Sequence, residues 1–380
     1  MNIGIVCYPT YGGSGVVATE LGKSLAARGH NVHFITYNRP IRLGHFTQNT
    51  FFHEVRLQDY PLFEYSPYES ALASTMVDVA RYQNLDLFHV HYAIPHASAA
   101  VMARNILADM GQNVPVITTL HGTDITLVGK EKSFEPVVAY SINQSNGVTA
   151  VSDFLRQATM DTFPIKRDIE VIPNFVDSNR FQRQDKEHFR KIIATNNEKL
   201  VIHTSNFRKV KRIEDVIKTF KIIRENVASK LLMVGDGPER TNAEALCREL
   251  DLCGDIVFLG NQNPVEELYS IGDLFLMPSA SESFGLSALE AMACGIPCVT
   301  SDAGGLPEVN LDGKTGFVCK IGDVDAMGAA GVRILKEEDL WKTFSDNAIE
   351  RSLEFHLEKV VPLYENYYKK VLAESSVAVP

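Results

Sequence analysis

Short apolar runs alternate with segments of helical spacing along this chain, and the alternation runs through once and begins afresh near residue 199. Ile3-Gly4-Ile5-Val6-Cys7 is the first run. Between Val16 and Arg28, Val17, Leu21 and Leu25 share one helical face, and Gly29 closes that helix. Further strands are expected at Val32–Tyr37, Leu87–Val90, Val114–Leu120 and Gly147–Val151, with the last strand of this half inside Glu170–Asp177. The second half repeats the scheme at Leu200–Thr204, Lys230–Val234, Asp255–Leu259, Leu274–Met277 and Pro297–Ser301. These runs are apolar throughout instead of alternating, so both faces of each strand are covered. Such strands form parallel sheets flanked by helices. The expected fold class is α/β, with two Rossmann-like domains facing each other across a cleft.

Only the architecture recurs between the halves; their residues do not repeat. A chain of 380 residues exceeds what one hydrophobic core supports. The domains are expected at 1–170, joined by a C-terminal helix of about 355–380, and at 171–354. The stretch from Phe355 to Leu372 is amphipathic and aromatic, and is expected to pack back on the first domain.

No apolar run reaches the roughly 18 residues of a membrane span. The start, MNIGIVCYP, has no basic stretch before its apolar run, so it reads as a first strand and not as a signal peptide. The expectation is a cytoplasmic protein without membrane partners. The net charge is −10, and both halves are acidic, which argues against a nucleic-acid partner. A homo-oligomer stays open. The six cysteines match no zinc spacing and read as small buried apolar residues, with Cys294 and Cys298 the pair to check.

In doubly wound sheets ligands sit beyond the carboxyl ends of the strands, so the loops there carry the chemistry. The first is Pro9-Thr-Tyr-Gly-Gly-Ser-Gly15, whose glycines let backbone approach a ligand at a helix start. It lacks the third glycine of the dinucleotide fingerprint, and a plain tight turn would look the same. The second is Thr204–Arg212, with Arg208, Lys209, Lys211 and Arg212 clustered before a helix. It is either a solvated basic turn or a cationic clamp on a pyrophosphate. The third is Ser279–Glu290. Here Glu282 lies in a loop and Glu290 sits about one turn inside a helix among Ala288, Leu289, Ala291 and Met292, where an unpartnered carboxylate would be costly. The fourth, Thr118–Asp124, puts His121 at a strand end. The fifth, His89-Val-His91 with His96, invites a metal reading but has no carboxylate or cysteine beside it in sequence. Asp323-Val-Asp325 looks like a helix N-cap. No metal site is expected.

Glu282…Glu290 around Phe284-Gly285 resembles the E-x7-E motif of retaining glycosyltransferases of family four, which have the GT-B fold. Gly12-Gly13, His121, residues 201–212, Val234-Gly-Asp-Gly-Pro238, Glu290-Ala-Met-Ala-Cys-Gly-Ile-Pro297 and Gly304-Gly-Leu-Pro-Glu308 occur in the family's order, over almost the whole chain. Lys211 fits the family's clamp lysine. Ser205-Asn206 stand where Gly-Arg is common, and Arg208 is the substitute. The resemblance implies a donor site of Gly13, Asn206, Arg208, Lys211, Glu282, Ser283, Phe284, Gly285, Leu286 and Glu290, with His121, Arg208, Lys211 and Glu282 closest to the chemistry.

Cys7-Tyr-Pro, Gly12-Gly-Ser-Gly-Val-Val, His89–His96, Thr119–Ile125 and Ser205–Arg212 resemble, more narrowly, the family members that open bacillithiol biosynthesis. That implies UDP-N-acetylglucosamine as donor, L-malate as acceptor, a retained α configuration, and neither cofactor nor metal. A small dianion needs donors in the first domain. Gly12, Gly13, Ser14, Tyr92, Thr119 and His121 are the candidates, with Arg56 as a further salt-bridge candidate. Transfer to another small acceptor such as inositol phosphate, a nucleotide-sugar epimerase, and a closing sugar-binding protein are the competing readings.

Overall fold

The computed structural model describes residues 1–10, 12–44, 47–57, 66–127 and 131–377. Tyr11, inside the first glycine loop, lies outside them. Contacts divide the chain into two compact units, residues 1–174 with 358–380, and residues 175–357. Both boundaries fall a few residues later than the sequence places them.

The first unit runs β1 (Asn2–Val6), α1 (Gly13–Ala27), β2 (Asn31–Thr36), β3 (Thr50–Glu54), α2 (Tyr68–Gln83), β4 (Leu87–His91), α3 (Ser98–Asp109), β5 (Val116–Leu120), α4 (Glu135–Gln144), β6 (Gly147–Ala150), α5 (Asp153–Thr162) and β7 (Glu170–Val171). Its sheet has the order β3-β2-β1-β4-β5-β6-β7. Every pairing is parallel. Ile3, Ile5 and Val6 have no exposure because β1 is paired on both edges and covered on both faces.

The second unit runs α6 (Glu187–Ile193), β8 (Lys199–Thr204), α7 (Ile213–Asn226), β9 (Ser229–Val234), α8 (Arg240–Glu249), β10 (Ile256–Gly260), α9 (Glu266–Tyr269), β11 (Leu274–Met277), α10 (Leu286–Ala293), β12 (Cys298–Ser301), α11 (Leu306–Val309), β13 (Gly316–Cys319), α12 (Val324–Lys336) and α13 (Glu338–Glu354). The parallel order is β10-β9-β8-β11-β12-β13. The strand β13 escaped the sequence reading because it is four residues long and only partly buried beyond its glycine. A core of Val201, Phe220, Leu231, Leu274, Val299 and their neighbours fills the space between this sheet and α7, α8 and α12.

The last helix, α14 (Leu357–Val377), belongs from Glu358 onward to the first unit. The Tyr367 hydroxyl accepts from Val148 N at 2.8 Å, and Glu365 pairs with Arg28 at 3.0 Å and His30 at 2.9 Å. Phe355, expected in that packing, lies instead in the second unit, its ring 5.5 Å from Phe284. Among the described residues, no helix is long and apolar enough to cross a membrane.

Each sheet grows outward from its first strand and then crosses to the other side. The strand order therefore reverses between β1 and β4 in one unit and between β8 and β11 in the other. Loops part at such reversals and leave a crevice for ligands.

Candidate active site

In the first unit, the loops after β1 and β4 meet at the reversal. Gly15 is dictated by packing: a Cβ there would lie 2.3 Å from Tyr8 O and 2.7 Å from Thr10 O. Gly12 is not so constrained, since its Cβ would meet only Thr10 Oγ1 at 3.6 Å. It is the N-cap of α1 and brings no side-chain cap, so the first amides of the helix have no capping side chain there. Gly13 is exposed beside it. The Tyr92 hydroxyl donates to Ser14 Oγ at 2.8 Å, joining the two loops. Tyr92 holds φ +87°, in the left-handed region that a tyrosine rarely occupies, and its amide donates to Thr119 O at 2.9 Å.

Asp124 ties the loop after β5 to the loop after β4. It is buried and accepts from Ala93 N at 2.6 Å and Gly122 N at 3.2 Å, and burial pushes its carboxyl pKa up to about 6. Beside it, four histidines gather. His91 Nδ1 lies 2.7 Å from His121 Nε2, His96 Nδ1 lies 2.5 Å from His91 O, and the His89 and His91 rings are 4.5 Å apart. Burial drives the pKa down to about 3 for His89 and His121 and about 4 for His96, and well below the usual value for His91. All four are neutral near pH 7.

Neutrality constrains the tautomers. A carbonyl only accepts, so His96 Nδ1 carries its proton. His91 Nε2 is buried with no partner among the described residues. An orphaned buried N–H is rarer than an orphaned acceptor. His91 is therefore best satisfied with its proton on Nδ1, donated to His121 Nε2. That leaves His121, 9% exposed where the other three are fully buried, with its Nδ1–H to offer a ligand.

Two expected acceptor residues are not where a ligand loop needs them. Thr119 is fully buried within the sheet, its hydroxyl 2.7 Å from both His89 Nε2 and Thr149 Oγ1, so its hydrogen-bonding capacity is consumed internally. Arg56 projects into solvent past the edge strand β3, 83% exposed and paired with Glu54 at 3.1 Å. Neither joins the Ser14–Tyr92–His121 group.

In the second unit, the loops after β8 and β11 meet at the other reversal. Ala280 N donates to Val210 O at 2.7 Å. Lys211 forms an ion pair with Glu282, and Ser279 Oγ donates to the same Glu282 Oε1 at 3.0 Å. Both charged groups are largely shielded, at 17% and 11% exposure. Arg208 and Asn206 are exposed, and Arg208 makes no ion pair with another described residue. Gly285, at φ +100°, is the N-cap of α10 and again brings no side-chain cap, so the amides at Leu286 and beyond face the loop. Phe284 is 3% exposed with its ring in the core, so only its backbone is available to a ligand, alongside Ser283. Glu290, 7% exposed, projects from α10 among buried Ala288, Leu289, Ala291 and Met292.

His203 was missed in the sequence. Its Nδ1–H donates to Leu276 O at 2.9 Å, so its Nε2 accepts from Ser205 Oγ at 2.8 Å, and Ser205 Oγ in turn accepts from Phe207 N at 3.3 Å. Ser205, the departure from Gly-Arg, thus pins the clamp loop onto the sheet. A histidine inside a strand that precedes a polar loop was the available signal.

All six cysteines are free, and Cys253 is exposed, contrary to the reading of all six as buried. Cys294 and Cys298 make no contact with each other among the described interactions; Cys247 and Cys253 do, at 3.4 Å. Asp323 caps α12 through Ala326 N at 2.9 Å. Among the described residues, no three His, Cys, Asp or Glu side chains are grouped to hold a metal ion.

Two parallel Rossmann-like sheets, each with a polar group at its strand reversal, are the architecture of GT-B glycosyltransferases, and comparison with known proteins shows that class. Residues 11–180 match Glycosyltransferase Family 4 and residues 184–351 match Glycosyl transferases group 1. Over 376 residues, 98% of either chain, this protein is 45% identical to the N-acetyl-alpha-D-glucosaminyl L-malate synthase of Bacillus anthracis. Sucrose-phosphate synthase from Thermosynechococcus elongatus shares the fold with a TM-score of 0.81 at 22% identity, covering 98% of this chain and 100% of that one. Anabaena HepE in complex with UDP and glucose does so with a TM-score of 0.81 at 20% identity, covering all of both chains. The chain belongs to the glycosyltransferases built from a family 4 domain followed by a group 1 domain.

Proposed function

We propose that this glycosyltransferase moves N-acetylglucosamine from UDP-N-acetylglucosamine to the 2-hydroxyl of L-malate, retaining the α configuration and using no metal ion. The observation that carries the reading is the end-to-end 45% identity with the B. anthracis malate synthase. The site chemistry supports it.

The second unit takes the nucleotide sugar. Glu290, shielded from water, accepts the ribose hydroxyls. The uncapped start of α10 and the amides from Ser283 to Leu286 receive phosphate oxygens. As the glycosidic bond breaks, charge grows on the departing diphosphate. Lys211, held ready by Glu282, and the exposed Arg208 offset that charge as fixed cations. Asn206 completes the donor contacts of this unit. The diphosphate oxygen takes the proton of the incoming hydroxyl on the face it leaves, so no side chain is needed as general base.

The first unit takes the acceptor. The start of α1 at Gly12 and Gly13 and the Ser14–Tyr92 hydroxyl pair supply neutral donors to a dicarboxylate, and the Nδ1–H of neutral His121 positions the sugar or the acceptor. Cations in the second unit and amides in the first leave no step that requires a divalent ion. Activity is therefore expected to persist in excess EDTA, and loss on chelation with rescue by magnesium would contradict that part of the proposal.

The test is an acceptor panel. With UDP-N-acetylglucosamine as donor, UDP release should rise strongly with L-malate and remain at background with succinate, which lacks the hydroxyl. Preference for inositol phosphate would reject malate and keep the transferase chemistry. Isomerisation of the donor without any acceptor would reject transfer itself.

A further inference from the structure

Cys247 and Cys253 lie away from both strand reversals, and the chain is built to bring them together. Helix α8 ends in a backbone motif that reverses direction within three residues. Asp251 takes φ +56°, its amide donates to Arg248 O at 3.2 Å, and Leu252 N donates to Cys247 O at 2.9 Å. This turn sets the residue after Leu252 over the last turn of the helix. The two sulfurs end 3.4 Å apart. A disulfide needs about 2.05 Å, so the sulfurs already lie within about 1.4 Å of bonding distance. Cys253 and Gly254 are exposed, and the space around Gly254 is open. The exposed sulfur is accessible to a solution reagent and the buried one sits directly beneath it.

We propose that Cys253 and Cys247 form a thiol-modification site that reacts with low-molecular-weight disulfides and closes to a reversible internal disulfide. The Cys253 thiolate attacks one sulfur of the small disulfide, forms a mixed disulfide and expels one small thiolate. The Cys247 thiolate then attacks Cys253 Sγ, forms the Cys247–Cys253 bond and expels the second. Two protein thiols are oxidised, and one small disulfide is reduced to two thiols. Burial pushes the Cys247 pKa up to about 12, with the neighbouring Arg248 cation acting in the opposite direction. Attack begins at the exposed Cys253, so the mixed disulfide there precedes the internal bond.

The full-length protein is incubated with oxidised glutathione, quenched with N-ethylmaleimide and mapped by mass spectrometry without reduction. A peptide pair linked through Cys247 and Cys253, reversed by dithiothreitol, is expected. Cys253→Ser should leave Cys247 reduced. Cys247→Ser should stop at a glutathione adduct on Cys253. Both variants should keep the transferase activity of the wild type, because neither sulfur touches the proposed donor or acceptor groups. A wild-type protein that accumulates the Cys253 adduct without the internal bond would overturn the proposal. So would one that leaves Cys253 reduced while Cys319 reacts.

Discussion

Lys211 is held in an ion pair with Glu282, which orients the cation proposed to offset the diphosphate. Removing it should affect the transition state more than the ground state. Lys211→Met is expected to lower kcat by about 10²–10³-fold, as for other lost charge-stabilising donors, with a smaller change in UDP affinity. An equal loss in both, read from kinetics and calorimetry, would make Lys211 a binding residue only. Glu290→Gln should weaken UDP binding by roughly 1.5–3 kcal/mol, the range for a hydrogen bond to a charged group, without unfolding the protein. Unchanged calorimetric affinity would remove Glu290 from the donor site. His91 is proposed to act through His121, whose ring it holds by a hydrogen bond. His91→Leu should free the His121 tautomer, visible as a changed nitrogen shift pattern for His121 in ¹⁵N NMR, and cost about fivefold to tenfold in kcat/KM, the worth of one neutral hydrogen bond. An unaltered His121 pattern would contradict the tautomer assignment.

At the scale of elements, the sequence exposed what is local and concealed what depends on partners distant in the chain. Ile3–Val6 and Leu274–Met277 announce themselves as strands because every side chain is apolar. Glu282, Gly285 and Glu290 are recognisable because their spacing is fixed by one loop and one helix. Thr119 was misread because a strand end says nothing about which hydroxyls a neighbouring strand consumes; His89 and Thr149 consume this one. The Ser205–His203 bond and the Cys247–Cys253 contact arise from strand and turn geometry that no spacing rule captures. The loops after β4 and β5 depend on Asp124, which holds amides from both. Asp124→Ala should leave buried N–H groups unpaired and destabilise the first unit by about 2–4 kcal/mol. Faster amide exchange confined to residues 92–97 and 121–127 is the expected signature, and exchange spread evenly over the chain would argue against a local tie.

For the whole molecule, the histidine cluster predicts unequal acid sensitivity of the two units. Unfolded histidines titrate near 6.5. His89 and His121 are depressed to about 3 and His96 to about 4 in the folded state, and His91 is held well below its usual value, so their stabilisation is present above pH 6.5 and is lost as the pH falls below it. From pH 6.5 to 5.5 each of His89, His96 and His121 loses about 1 kcal/mol, about 3 kcal/mol for the three, and His91 adds in the same direction. Asp124 opposes this. Its raised pKa of about 6 makes its ionisation unfavourable to folding, and protonation over the same interval returns less than about 1 kcal/mol. The first unit should therefore unfold first in acid. The single tryptophan, Trp341, lies in the second unit and reports on that unit alone. Circular dichroism should lose part of its helical signal while Trp341 fluorescence holds, and coincident transitions would contradict the prediction.

Retaining transfer to malate leaves its record in the structure of the product. The glycoside formed from UDP-N-acetylglucosamine and L-malate is to be isolated, and its anomeric proton read by NMR. A single N-acetylglucosaminyl malate with the small coupling of an α linkage at the 2-hydroxyl is the predicted result. A β linkage, attachment through a carboxylate, or free N-acetylglucosamine as the only sugar product would contradict it.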